Sequence, residues 1–182
     1  MNGSSVYATP EQYGAVGDGE TDDTQAFVNA LADCDILILS KKTYLVNTLT
    51  ITKRSFCMFG TGVDSKIRSA GVTITGCNDV HFYNFTFDDS ETIDTLVKVE
   101  DSYHTTFDHV NVSSNHGSNK GIVFDGTVKM FYAIYSGGRI NHFNVGCTFQ
   151  YTSNACTLFN NLLYDNATCV KIDSCNGIRI QN

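Results

Sequence analysis

Acidic side chains are the first place to look for chemistry in this chain of 182 residues, because they cluster. Asp88, Asp89, Glu91 and Asp94 follow closely on Phe87. About 25 residues on, the stretch after Val112 carries Asn115, His116, Asn119 and Lys120, and the next carries Arg139, Asn141 and His142. Two carboxyl groups about 5 to 9.5 Å apart can cleave a glycosidic bond, one as acid and the other as base or nucleophile. Elimination needs instead a base beside an acidic sugar. Asp88, Asp89, Glu91, Asp94 and His116 are therefore the candidate catalytic residues. Asn115, Asn119, Lys120, Arg139 and His142 are the candidate carbohydrate contacts. The plainer reading of the same residues is a row of solvated polar corners.

The interval of 25 is a repeat, and it says what must hold those residues. Val72-x-Ile74-x-x-Cys77-Asn78-x-Val80-x-Phe82-x-Asn84 matches Val170-x-Ile172-x-x-Cys175-Asn176-x-Ile178-x-Ile180-x-Asn182, 98 residues later. Val97-x-Val99, Ile122-x-Phe124 and Cys147-x-Phe149 lie between them in step. Five turns of roughly 25 residues follow, each built of short strands that alternate inward and outward side chains. One such turn cannot bury its inward set alone. Stacked turns pair every backbone group with the turn above and below and align like residues in ladders. The apolar spacing of two excludes helical repeats. Asp125-Gly126 and Asn176-Gly177 fall at turn corners rather than between strand pairs, which argues against a hairpin barrel. The expected fold is all-β, a parallel solenoid, with Val72, Ile74, Val97, Val99, Ile122 and Phe124 facing inward.

Composition narrows the classes of function. Apolar residues make up 42% and charged residues 17%, with one proline, which is a folding composition. The net charge of −7 disfavours nucleic acid as a partner, since Lys41, Lys42, Lys53 and Arg54 form only two separated pairs. No apolar run reaches the eighteen or so residues of a membrane span, and residues 1–5 have neither part of a signal peptide. The seven cysteines are irregularly spaced and lack the CxxC pairs of a zinc site. Beside apolar strand residues they read as buried free thiols, suited to a reducing cytoplasm. The Asn-x-Ser/Thr sites at Asn2, Asn84, Asn111 and Asn166 are what an Asn- and Thr-rich chain contains by chance. His81, His104 and His109 lie in or beside strands and read as outward side chains.

A solenoid needs a cap over its first turn. Residues 21–34 supply a helix, with Thr21 as N-cap, Asp22 and Asp23 in the first turn, and Ala26, Phe27, Ala30 and Leu31 as one apolar stripe. The strand Ile36–Leu39 follows. The chain thus divides into an N-terminal arm and capping helix over 1–35 and rungs over 36–182. Asn182 occupies the place that Asn84 holds in mid-strand, so the rungs are expected to continue in a longer chain.

The run Tyr13-Gly14-Ala15-Val16-Gly17-Asp18-Gly19-Glu20-Thr21-Asp22-Asp23-Thr24-Gln25-Ala26-Phe27 resembles the opening motif of the pectate-lyase-like superfamily. Thr43-Tyr44-Leu45-Val46 and Phe59-Gly60-Thr61-Gly62 resemble its next two landmarks, though Ser40-Lys41-Lys42 replaces the family's Pro-x-Gly. The resemblance implies a right-handed parallel β-helix. It assigns Gly14, Gly17, Asp18, Gly19, Asp22, Asp23 and Thr24 a structural role, with the glycines turning the chain and the aspartates capping the helix. It implies neither metal nor cofactor. Glu20 stands where a P-loop needs lysine, and Asp23 and Asn29 fail the calcium-loop pattern.

With no leader visible, the resemblance is nearest to phage tailspikes and pre-neck appendage proteins. It implies a virion tail protein folded in the bacterial cytoplasm, a homotrimer, contacts with other tail proteins, and host surface polysaccharide as the partner, which such proteins bind and often cleave. Phe131, Tyr132 and Tyr135 are the outward side chains expected to pack the trimer. One alternative is a secreted glycan-active enzyme of polygalacturonase or lyase type. Asp88-Asp89, Asn115-His116-Gly117 and Gly177-Ile178-Arg179-Ile180 echo polygalacturonase motifs only loosely, and its Asn-Thr-Asp is missing. Another alternative is a non-catalytic shaft.

Overall fold

The computed structural model describes residues 5–151 and 154–182, and the backbone alone of residues 5 and 128–131. About 57% of the chain is β-structure, stacked as a parallel solenoid of about seven turns, with a single α-helix among the described residues. Every named strand pair is parallel, in one sheet of 13 strands and another of 7. Both sheets face a shared apolar interior.

The ladders expected from the repeat are present. Val72 pairs with Val97, Val97 with Ile122, Ile122 with Cys147 and Cys147 with Val170. The six residues expected to face inward are buried. Like rings stack along the axis, Phe82 on Phe107 at 4.9 Å and Phe124 on Phe149 at 5.0 Å. Such pairs add roughly 0.5–1.5 kcal/mol beyond the area they bury.

The count of five turns is corrected upward because the period is not uniform. Leu37 pairs with Met58, Met58 with Phe82 and Ile67 with Phe87, so several early turns are 20 to 24 residues long and escape a search at 25. One later turn is longer. Glu100 pairs with Asp125 but Ser102 with Met130, a slip of three residues. The slip overturns the outward placement of Tyr135. It brings Tyr135 onto Phe107 inside the core, where its hydroxyl donates to Val110 O at 2.7 Å and Arg139 O at 3.1 Å. Tyr132 is exposed. The side chain of Phe131 lies outside the described residues.

Corners are made by single left-handed residues that recur in ladders. Gly76, Asp101, Tyr151 and Ser174 form one, Asp79, His104, Tyr132, Ala155 and Gly177 a second, and Asn84, His109, Gly137 and Asn160 a third, all at positive φ. Each such residue turns the strand sharply without a loop. The repeated Asn, Asp and Gly therefore mark geometry, and His104 and His109 are corner residues paired to Asp79 and Asp108.

The capping helix spans Thr24–Asp33, with Asp23 as N-cap. Thr21 is therefore not the N-cap, because Asp18–Asp22 is a strand that pairs with Thr43–Val46. The acidic motif locks this junction. Asp18 accepts from the backbone of Thr21 and Glu20, which holds its carboxyl down at about 2. Asp22 accepts from Thr24 N and Asn47 Nδ2, while buried Asp23 accepts from Val16 N and Gly17 N. Gly14, Gly17 and Gly19 all have positive φ. At Gly17 a Cβ would also meet the Lys42 side chain at 2.7 Å, so a larger residue there would be strained and would have to displace Lys42. All seven cysteines are free thiols. Cys34, Cys77, Cys147 and Cys156 are buried, whereas Cys169 is exposed, against the expectation that it packs as a small hydrophobe.

Candidate functional site

The smaller sheet positions most of the candidates. Its strands Lys66–Ser69, Thr86–Asp89, Asn111–Ser113, Arg139–Asn141 and Leu162–Tyr164 are only three or four residues long. Their central residues Ile67, Phe87, Val112 and Ile140 face the core. Alternation then sends the flanking residues outward in two columns. One column runs Lys66, Thr86, Asn111, Arg139, Leu162, and the other Arg68, Asp88, Ser113, Asn141, Tyr164. Asp88, Asp89, Arg139 and Asn141 therefore belong to strands, where the sequence suggested polar corners.

Asp88 and Asp89 are adjacent but do different things. Asp89 is completely buried and continues the inward ladder of Val46 and Ser69. It accepts hydrogen bonds from Ser114 Oγ, Ser118 Oγ at 2.6 Å and Asn115 N at 2.7 Å, and its Oδ1 lies 3.0 Å from His116 Nδ1. Burial pushes the Asp89 carboxyl up, but these hydrogen bonds outweigh it and hold the group below the usual range. Ser114 Oγ in turn accepts from Gly117 N and Ser118 N. Asp89 is the hub of the 114–118 turn, and no face of it is open to a substrate. His116 is half exposed but tethered to that hub.

Asp88 faces outward and is nevertheless covered. Asn115 Nδ2 donates to it at 2.6 Å, Ser113 Oγ at 3.4 Å, and Arg68 Nε stands 3.5 Å away. Burial pushes its carboxyl up, against the pull of Arg68. Glu91 is exposed. Asp94 lies at another corner, where Asn119 Nδ2 and Lys120 Nζ bind it and hold its carboxyl down. Asp94, Asn119 and Asn144 form a polar ladder of their own, one residue per turn. The nominated carboxylates are thus dispersed over a buried hub, a covered strand and an ion-paired corner.

Two clefts open on this side of the molecule. The larger, about 600 Å³, is lined by Ser114, Asn115, Gly117, His142, Phe143, Asn144, Asp165 and Ala167. The smaller, about 240 Å³, lies along the outward columns and is lined by Asp64, Lys66, Asn111, Ser113, Arg139, Asn141 and Tyr164 among others. They abut, since Asn141 and Tyr164 of one adjoin His142 and Asp165 of the other. His142 Nε2 is 3.7 Å from Asp165 Oδ2, and its ring meets Tyr164 edge to face. The corner that carries Asp165 and Ala167 forms a wall of the larger cleft. Lys66, Arg68, Tyr164 and Asp165 were not among the candidates. Their turns are spaced at 20 and 23 residues, which a strict interval of 25 misaligns.

Comparison with solved structures decides the fold class. The chain is similar to the catalytic unit of a thermostable GH87 alpha-1,3-glucanase from Streptomyces thermodiastaticus, with a TM-score of 0.69 at 16% identity over 96% of this chain and 35% of that one. It is a parallel β-helix. The β-helix is also similar to the pre-mature bacteriophage phi29 gene product 12, with a TM-score of 0.62 at 15% identity over 96% of this chain and 32% of that one. A third likeness is to ORF18 of Geobacillus virus E2, with a TM-score of 0.56 at 17% identity over 96% of this chain and 50% of that one. The chain spans about a third of the length of the first two and half of the third. The sequence matches no protein-family profile and no curated protein.

Proposed function

We propose that this β-helix is a segment of a phage tailspike or appendage protein that recognises host cell-surface polysaccharide through the outer face of its smaller sheet. The observation that carries the reading is the continuous polar face formed by the two abutting clefts. It presents amides (Asn111, Asn115, Asn141, Asn144), a hydroxyl (Ser113), an imidazole (His142) and a phenol ring (Tyr164), the kinds of group that hydrogen-bond sugar hydroxyls. Two phage proteins and a glucanase among the structural likenesses support the setting. Among the described residues no helix is long and apolar enough to cross a membrane. The reading includes assembly as a homotrimer with other tail proteins in the virion and folding in the bacterial cytoplasm. The four buried thiols agree with the last point.

Recognition fits these residues better than cleavage. Hydrolysis needs two carboxyls about 5 to 9.5 Å apart. Asp89 is sealed and Asp88 is covered. Asp165 follows Tyr164, which lies three strands from Asp88 and so roughly 14 Å away at about 4.8 Å per strand. A glycan array probed with the whole chain tests the reading. Binding that Asn141→Ala weakens, with the fold intact by circular dichroism, is the expected result. Binding untouched by Asn141→Ala and Tyr164→Ala would remove the clefts as the site.

A further inference from the structure

A third cleft, about 450 Å³, lies away from the polar face, at the capped end of the solenoid. It is lined by the strand Leu49–Ile51 with Thr52 and Lys53, and by Val28, Leu31 and Ala32 of the capping helix. The strand is an edge. It pairs with Val72–Thr75 and, among the described residues, with no other strand. Leu49 N donates to Gly71 O at 3.0 Å and Ile51 O accepts from Cys77 Sγ, so both residues turn their backbone groups towards the following turn. Alternation leaves the N–H and C=O of Thr50 on the open edge. The helix is also unfinished here. Ala26, Phe27, Ala30 and Leu31 meet the core, whereas Val28 is 47% exposed and Ala32 is exposed, one helical turn apart.

The end strand of the smaller sheet, Asp18–Asp22, carries three acidic side chains, a charged edge that discourages further pairing. Leu49-Thr50-Ile51 carries no charge. Just beyond it Arg54 is exposed, and among the described residues no carboxylate lies within ion-pair distance of it. The neighbouring Asp35 is held by Lys53 at 3.5 Å.

We infer that this cleft binds an extended peptide segment of a partner protein, added as a further strand at the Thr50 edge, with an apolar side chain against Val28 and Ala32 and a carboxylate at Arg54. The site is separate from the polar face and does not rest on glycan recognition. An open strand edge beside apolar walls suits a peptide, whose backbone pairs while alternate side chains enter the cleft. Thr50 offers only one donor and one acceptor, so the apolar contact and the charge supply the selectivity. Arg54 is the point of attraction for an acidic residue on a chain whose net charge is −7.

The test passes a library of seven-residue peptides over the whole chain and titrates the selected peptides against it. The expected sequences alternate apolar and polar residues and carry an acidic residue towards one end, and their binding slows hydrogen exchange at the Thr50 amide. Val28→Asp and Arg54→Gln each weaken binding about tenfold, with the fold intact by circular dichroism. Arg179→Gln, which removes an exposed cation on the last strand, leaves binding unchanged. An empty selection overturns the inference, as does peptide binding indifferent to Val28→Asp and Arg54→Gln or without protection of Thr50. Self-association of the chain alone that Val28→Asp abolishes would give the cleft to a second copy and overturn the peptide partner. Glycan binding by Val28→Asp stays that of the parent chain, so each of these failures leaves polysaccharide recognition standing.

Discussion

The two sheets of this solenoid obey one rule inside and different rules outside. Within, both present uninterrupted apolar ladders: Val72, Val97, Ile122 and Cys147 from the larger sheet, and Ile67, Phe87, Val112 and Ile140 from the smaller. Outside, the early turns of the larger sheet carry Ile38, Phe59 and Tyr83, with the last two rings stacked at 4.7 Å. The smaller sheet carries Lys66, Arg68, Asn111, Ser113, Arg139 and Asn141 instead. Stacking fixes only what points in. Outward residues are free to vary, so a difference between two outer faces on one scaffold is where a function can be built.

That contrast makes interior and exterior substitutions separable, and the largest effect belongs to the interior. Phe107→Ala empties a ladder position between Phe82 and Tyr135 and is expected to cost about 4 kcal/mol in urea unfolding. Its glycan affinity below the melting range stays unchanged. A loss of affinity there with stability intact would blur the division between inside and outside.

Asp89 sharpens the comparison because it is polar and yet belongs to the inside. Asp89→Ala strips three hydrogen-bond donors and a histidine of their partner, so a loss of about 3 kcal/mol is expected. Its carboxyl is held below the usual range in the fold. The stability it contributes is therefore present above the unfolded carboxyl value of about 3.9 and disappears as pH falls through the folded value. An acid-unfolding curve should show a shallower acid limb for Asp89→Asn than for the parent chain. An unchanged limb would assign the acid sensitivity elsewhere, with Asp18 the next group to examine.

The smallest expected effects on stability are on the smaller sheet's outer face. Lys66→Gln and Arg139→Gln should change the unfolding free energy by less than about 0.5 kcal/mol, as surface changes do. A large stability change in either would show that these cations hold the sheet together.

How far the sequence could be read follows from the same division. The ladder from Val72 to Cys147 was legible because a constant interval of 25 keeps inward residues aligned, and the last step to Val170 is only two residues shorter. Tyr135 was misplaced because three extra residues between Asp125 and Met130 shift the interval, and nothing in their types announces an insertion. Asp88 and Asp89 looked like loop residues because a four-residue strand with two terminal aspartates has too few alternations to declare itself. Lys66 and Tyr164 were missed because the smaller sheet's turns run at 20, 25, 28 and 23 residues, and only backbone pairing shows which outward residues are neighbours. The cap motif was legible in position, but its N-cap was read two residues early. Thr21 has the right type for an N-cap, while the parallel pairing of Asp18–Asp22 uses it in a strand.

The most direct measurement is a crystal structure of the whole chain with an oligosaccharide prepared from a polymer that it binds. Sugar density over the outer face of the smaller sheet, in contact with Asn141 and Tyr164, is the result expected. Density on the outer face of the larger sheet, or at the Asp94 corner, with the smaller sheet bare, would contradict the account.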